Sequence, residues 1–174
     1  LARRDSLTGL FNRRTIDEHL EDAVRAARLT GRPLSIIMAD LDHFKHINDL
    51  HGHGAGDEVL RVAADRMGAA LRDSDWVGRY GGEEFLVVLR DATLEIATEI
   101  AQRVRANVAS EPVRAGALTV GVTISQGVAT LAPGEDVIEV VRRADEALYA
   151  AKARGRDRVV AEHAAHGSAV PRAS

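Results

Sequence analysis

A chain of 174 residues, 45% hydrophobic and 28% charged, has the length of one domain and enough apolar material for a core. Its formal net charge of -3 and its 3% aromatic content argue against a nucleic-acid polymer as partner, since there is neither a basic field nor a stacking platform; a single nucleotide needs only a few local cations. With no cysteine, disulfides, thiolate metal sites and Cys nucleophiles are excluded, and a reducing compartment is allowed.

The apolar spacing predicts the elements in chain order. Residues from about Thr15 to Leu29 read as a helix, closed by Gly31 and Pro33. Leu34 to Leu41 (LSIIMADL) is a buried strand that runs into acid, and Asp42 is expected to N-cap a short helix carrying Phe44 and Ile47 on one face. A Gly-rich turn, HGHGAG, leads into a helix with Val59, Leu60, Ala63, Met67 and Leu71 at helical spacing. Trp76 to Tyr80 and Phe85 to Leu89 read as the strands of a hairpin around GGEE. After Thr93 a second long helix turns Ala97, Ile100, Ala101, Val104 and Val108 inward, and Leu118 to Thr130 is strand with a break near Gly121. Val137, Val141, Ala144 and Leu148 mark one stripe of a last helix, and Arg158 to Ala161 a closing strand. The tail from His163 onward is small and polar and is expected to be disordered. This alternation predicts an α/β fold, a single mixed central β-sheet with helices packed on its faces, formed by residues 1–162.

No apolar run reaches membrane-spanning length and no signal peptide opens the chain, so no membrane contact and a cytoplasmic location are expected. Leu1 stands where an initiating Met would, and the sequence reads as a piece of something longer, the output domain of a larger sensor.

Asp40 lies at the C-terminal end of the buried strand, where ligands gather in α/β sheets. Glu83 and Glu84 lie at the hairpin tip. An Asp at a strand end facing a hairpin Glu suits magnesium, which takes a few carboxylates plus phosphate oxygens. Alone, the two glutamates could equally be solvated turn residues. Gly81 and Gly82 permit a tight turn and close approach of a phosphate, though Gly-Gly also suits a plain hairpin. Lys45 falls in the first turn of the short helix, where backbone N–H groups and an ammonium can meet phosphate. Lys152 and Arg156 flank the end of the last helix, where cations also complement the helix dipole. Asn48 and Asp57 bracket HGHGAG and supply an amide and a carboxylate that match a guanine edge; they would also serve as ordinary helix-end residues. His43, His46, His51 and His53 crowd the same stretch, but an oxygen-rich magnesium site accounts for more of it than zinc does.

Together four segments resemble the GGDEF family, from about Asp5 to Val160: DSLTGLFNRR (Asp5–Arg14), DLDHFKHINDLHGHGAGDEVL (Asp40–Leu60), RYGGEEF (Arg79–Phe85, the signature in its Glu form) and ADEALYAAKARGRDRV (Ala144–Val159). The resemblance implies a nucleotidyl-cyclase-like fold and a diguanylate cyclase that joins two GTP into cyclic di-GMP. It implies magnesium, with manganese as a substitute, on Asp40, the Leu41 carbonyl and Glu83, and Glu84 beside the ribose 3′-hydroxyl. Asn48 and Asp57 would read guanine, and Lys45, Lys152 and Arg156 would bind the triphosphate. Two domains would face each other as a homodimer. Arg72 and Asp75 (RDSD), with Arg103, match the family's RxxD product-inhibition site. Asp157 stands where the family usually shows Asn, and Gln126 at a strand position that is usually apolar; no residue needed for turnover is missing. The competing readings are a non-catalytic receptor for GTP or cyclic di-GMP, and a cyclase of different base choice, which would need a change at Asp57.

Overall fold

The computed structural model describes residues 1–162. In chain order the elements are α1 (Arg13–Thr30), β1 (Leu34–Leu41), α2 (Phe44–His51), α3 (His53–Ala70), β2 (Trp76–Arg79), β3 (Glu84–Arg90), α4 (Leu94–Ala109), β4 (Val113–Ala115), β5 (Leu118–Val120), β6 (Ile124–Thr130), α5 (Val137–Ala153) and β7 (Val159–Glu162). The tail from His163, expected to be disordered, lies outside the described residues, and so does the boundary drawn after 162.

The central sheet is five-stranded in the order β2-β3-β1-β6-β7. β1 runs antiparallel to both neighbours, while β7 lies parallel to β6, so the sheet is mixed as expected. All eight residues of β1 are buried because both faces of the sheet are covered. Side chains alternate across a strand. Ile37, Ala39 and Leu41 therefore join Val87 and Leu89 under α3 and α4. Ile36 and Met38 join Leu86 and Val88 under α1 and α5. Gly127 of β6 allows α5 to lie directly on the sheet: a Cβ there would stand 2.2 Å from the Ala144 carbonyl oxygen and 2.3 Å from the Leu148 nitrogen. That close approach carries the C-terminal end of α5 to the end of β1.

Four expectations change. Asp42 caps nothing: the residue before α2 is His43, in the left-handed conformation with φ 56° and no side-chain cap, and Asp42 is turned into the interior. Most of HGHGAG is helix rather than turn, since α3 starts at His53 and only Gly52, with φ 86°, breaks the chain between α2 and α3. The break expected near Gly121 lies at Gly121–Thr123, but β5 does not stay in the main sheet: it pairs with β4, which the apolar pattern did not signal. Val140 rather than Val137 or Val141 is the deeply buried valine of α5. Gln126, polar in a strand where an apolar residue is usual, is fully buried, and its Nε2 donates to the Ala101 carbonyl of α4 at 2.9 Å.

Candidate functional site

The β1–β3 register opposes Asp40 to Glu84. Just beyond, the Leu41 N–H donates to the Glu83 carbonyl at 3.2 Å. The two acids of the hairpin tip are thereby fixed beside the acid at the strand end, although more than forty residues separate them in the chain. The turn is closed by the Tyr80 N–H, which donates to the Glu84 carbonyl at 2.7 Å. Gly81 leaves room for the Glu84 carboxylate, whose Oε2 would lie 2.8 Å from a Cβ there.

Asp40 is 6% exposed. Burial pushes its carboxyl above the ordinary value; the hydrogen bond and charge of Lys152 oppose this, and the charges of Glu83 and Asp42 add to it. Lys152 Nζ lies 2.9 Å from Asp40 Oδ2, so a cation already stands against this acid. Asp145 of α5 belongs to the same field: burial, and then the charge of Glu84, raises its carboxyl, against Arg13 and Lys152.

Two residues that the motif reading did not single out hold the hairpin. Arg79 donates from Nε and Nη2 to the Gly82 carbonyl, at 3.0 and 2.8 Å, and from Nη1 to Asp5 at 3.3 Å. Asp5 also accepts from the Thr8 N–H at 2.9 Å and the Thr8 hydroxyl at 2.8 Å. Burial would raise the Asp5 carboxyl, but the Thr8 hydrogen bonds and Arg79 outweigh it and hold it below the ordinary value. The opening motif is thus tied to the RYGGEEF turn across 74 positions. The signal available in sequence was the local Asp-x-x-Thr pattern, which favours a side-chain-closed turn, and not its remote partner.

The guanine candidates come together through the α2–α3 packing. Asn48, half-buried on α2, lies over Gly56, the neighbour of the exposed Asp57: its Oδ1 is buried without a hydrogen-bond partner and would stand 1.8 Å from a Cβ on Gly56. Lys45 is exposed on the first turn of α2, and Arg156 is exposed in the turn after α5. Among the described residues no group of three or more His, Asp or Glu side chains is arranged to hold a metal, the four histidines included.

Arg72 and Asp75 form a tight pair rather than an exposed surface salt bridge. The Asp75 side chain has no exposed area and accepts from the Arg72 N–H at 2.8 Å and from its guanidinium at 2.7 Å, while the Arg72 side chain is 35% exposed. Arg103 donates to the carbonyl of Ala70, two residues before Arg72, at 2.8 Å. The Arg103 and Arg72 side chains thus both bond around the Ala70–Asp75 turn, and Arg72 is the more exposed member of its pair with Asp75. Among the described residues no helix is long and apolar enough to cross a membrane.

A family described as diguanylate cyclase, GGDEF domain, matches residues 2–158. The response regulator PleD of Caulobacter vibrioides is 46% identical over 167 residues, 94% of this chain and 37% of that protein. Diguanylate cyclase DgcP of Pseudomonas aeruginosa is 41% identical over 158 residues, 91% of this chain and 24% of that protein. The chain thus spans well under half the length of these relatives. The GGDEF domain of DgcB from Caulobacter crescentus, crystallised in complex with c-di-GMP, superposes with a TM-score of 0.89 at 36% identity, covering 92% of this chain and 96% of that one.

Proposed function

Since this chain belongs to the GGDEF diguanylate cyclase domain family, we propose that it condenses two GTP molecules into cyclic di-GMP. The observation that carries the reading is the β1–β3 pairing, which sets Asp40 against the Glu83–Glu84 tip with a lysine cation beside it. In each half-reaction a ribose 3′-oxygen attacks the α-phosphate of the other GTP. The O3′–P bond forms, the bond to the β-phosphate oxygen breaks, and pyrophosphate leaves. Glu84 stands to accept the 3′-hydroxyl proton. Lys45, Lys152 and Arg156 offset the charge of the triphosphate, and Asn48 with Asp57 reads guanine by an amide and a carboxylate. Catalysis of this kind is mostly positioning plus charge stabilisation.

The donors fit a hard divalent ion. Asp40, the Leu41 carbonyl and Glu83 are all oxygen, and the mutual charge of the acids at Asp40 favours a cation there. Magnesium, or manganese in its place, would be held by these three and would supply charge neutralisation at the phosphates.

One domain holds one GTP, so turnover needs two copies facing as a homodimer. Product inhibition is assigned to Arg72, Asp75 and Arg103, with Arg72 making the first contact to cyclic di-GMP because Asp75 is covered. A GTP substrate places the reaction in the cytoplasm. The test is incubation of the purified chain with GTP and magnesium, followed by chromatographic detection of cyclic di-GMP. Wild type should form it and Glu83→Gln, equally folded by circular dichroism, should not. No product from folded wild type at high micromolar concentration would overturn the reading.

A further inference from the structure

The buried acid expected to cap α2 has a different task. Asp42 is 4% exposed and its carboxylate is enclosed by three donors: the Thr123 hydroxyl at 2.7 Å and the Asp157 N–H at 3.0 Å on Oδ2, and the Ser125 hydroxyl at 2.6 Å on Oδ1. Its own N–H donates to the Thr123 carbonyl at 2.9 Å. A carboxylate accepts and does not donate, so three converging donors are the chemistry it satisfies.

The donor from Asp157 matters most, because it belongs to an unusual turn. After α5 the chain runs through three consecutive positive φ values: Gly155 at 118°, Arg156 at 61° and Asp157 at 45°. Non-glycine residues in this region are strained and persist where the surroundings over-determine them. The turn is held by a set of hydrogen bonds. Arg156 N–H donates to the Ala151 carbonyl at 3.0 Å, Gly155 N–H to the Lys152 carbonyl at 3.3 Å, Arg158 Nε to the Arg156 carbonyl at 3.0 Å, and Gln126 N–H to the Arg158 carbonyl at 3.0 Å; Arg105 of α4 donates to Asp157 Oδ1 at 3.1 Å and to its carbonyl at 3.4 Å, and Asp42 takes the Asp157 N–H. Of the side-chain anchors only Asp42 comes from the end of β1, the segment that also presents Asp40 to Lys152.

From this we infer that Asp42 is a positioning residue for triphosphate binding: it holds the left-handed turn that aims Arg156, while Asp40, two residues earlier, holds Lys152. The inference rests on the proposed reading of Lys152 and Arg156 as triphosphate ligands. Asp42 itself touches no ligand. Its effect runs through Arg156 and is confined to the phosphate end of the nucleotide.

The experiment compares GTP and guanosine binding, by calorimetry and by competition, in wild type, Asp42→Ala, Asp42→Asn, Arg156→Ala and the double variant Asp42→Ala with Arg156→Ala. Asp42→Ala should weaken GTP about tenfold, as expected when a charge-assisted phosphate contact is lost, and leave guanosine unchanged. Asp42→Asn keeps an oxygen for the Asp157 N–H and should restore most of the affinity. In the Arg156→Ala background Asp42→Ala should add little. Equal losses for GTP and guanosine, or a full additional loss without Arg156, would overturn the inference. Should Asp42→Ala fail to fold, Thr123→Val, which removes one of the donors aiming the carboxylate, must still weaken GTP selectively, and its failure to do so is equally fatal. Wild type that binds guanosine but gains nothing from the triphosphate would overturn the underlying reading, and the inference with it.

Discussion

Replacing Gly56 with alanine should separate the stability of the fold from the reading of the base. Gly56 has ordinary helical backbone within α3, so alanine is accepted there and gains about 1 kcal/mol of helix propensity. The new Cβ would stand 1.8 Å from Asn48 Oδ1, 2.9 Å from its Cγ and 3.2 Å from Phe44 Cζ. The obstruction is the end of a side chain, so Asn48 turns away by more than about 1 Å to reach van der Waals distance, and an off-rotamer torsion costs about 1 kcal/mol. The two terms offset, and the thermal midpoint should move by no more than about 3 °C. A hydrogen bond to guanine does not survive a displacement of that size. Its loss is worth about 1 kcal/mol, rising to about 3 where the base is left with an unpaired group, which corresponds to a KM for GTP raised roughly 5- to 150-fold. Initial rates of pyrophosphate release across a GTP series, with thermal denaturation of the same preparation, measure both quantities. A wild-type KM in a variant of unchanged Tm would refute the placement of Asn48 as a guanine reader.

Three further outcomes follow from the packing and the charges. Gly127→Ala meets backbone of α5 rather than a movable side chain, so it should destabilise by about 3 kcal/mol and lower Tm by roughly 6–12 °C; an unchanged Tm in scanning calorimetry would refute the close approach. Glu135 is buried against Arg143, which donates to it at 2.7 and 2.6 Å; burial alone would raise its carboxyl, but those bonds, the Ala132 N–H and the Arg143 charge hold it below the ordinary value. A depressed carboxyl stabilises the fold above its unfolded pKa and loses that contribution as pH falls through the folded one, so the stability gap between wild type and Glu135→Gln in urea melts should shrink as pH falls below the ordinary glutamate value of 4.5; a gap independent of pH would count against it. Arg72→Ala should relieve inhibition by added cyclic di-GMP and leave the initial rate unchanged, read from rates at fixed GTP over a product series, whereas Asp75→Ala should also lower Tm because it leaves the Arg72 N–H without its acceptor; undiminished inhibition in Arg72→Ala would remove Arg72 from that site.

Local pattern was enough for much of this protein. The largely apolar segment Leu34–Leu41 identified a buried strand, and helical spacing located α1, α3, α4 and α5 to within a few residues. The motif segments also singled out Asp40, Glu83, Asn48 and Lys152 as candidates, through their resemblance to the family rather than through residue type and spacing alone. What local pattern could not supply is who meets whom across the sheet. The β1–β3 register places Glu84 opposite Asp40, and the β1–β6 register brings Thr123 and Ser125 to Asp42, which by sequence alone looked like a helix cap. Arg79 finds Asp5 only because the opening segment folds against β2, bridging Phe11 to Gly78. β5 leaves the main sheet for β4 although its apolar content continues into β6, because pairing partners, and not intrinsic strand preference, decide which sheet a short strand joins. Element type follows from neighbours along the chain. A buried carboxylate takes its role from donors that arrive from elsewhere, since burial leaves it no water to turn to, and only the tertiary structure determines which donors those are.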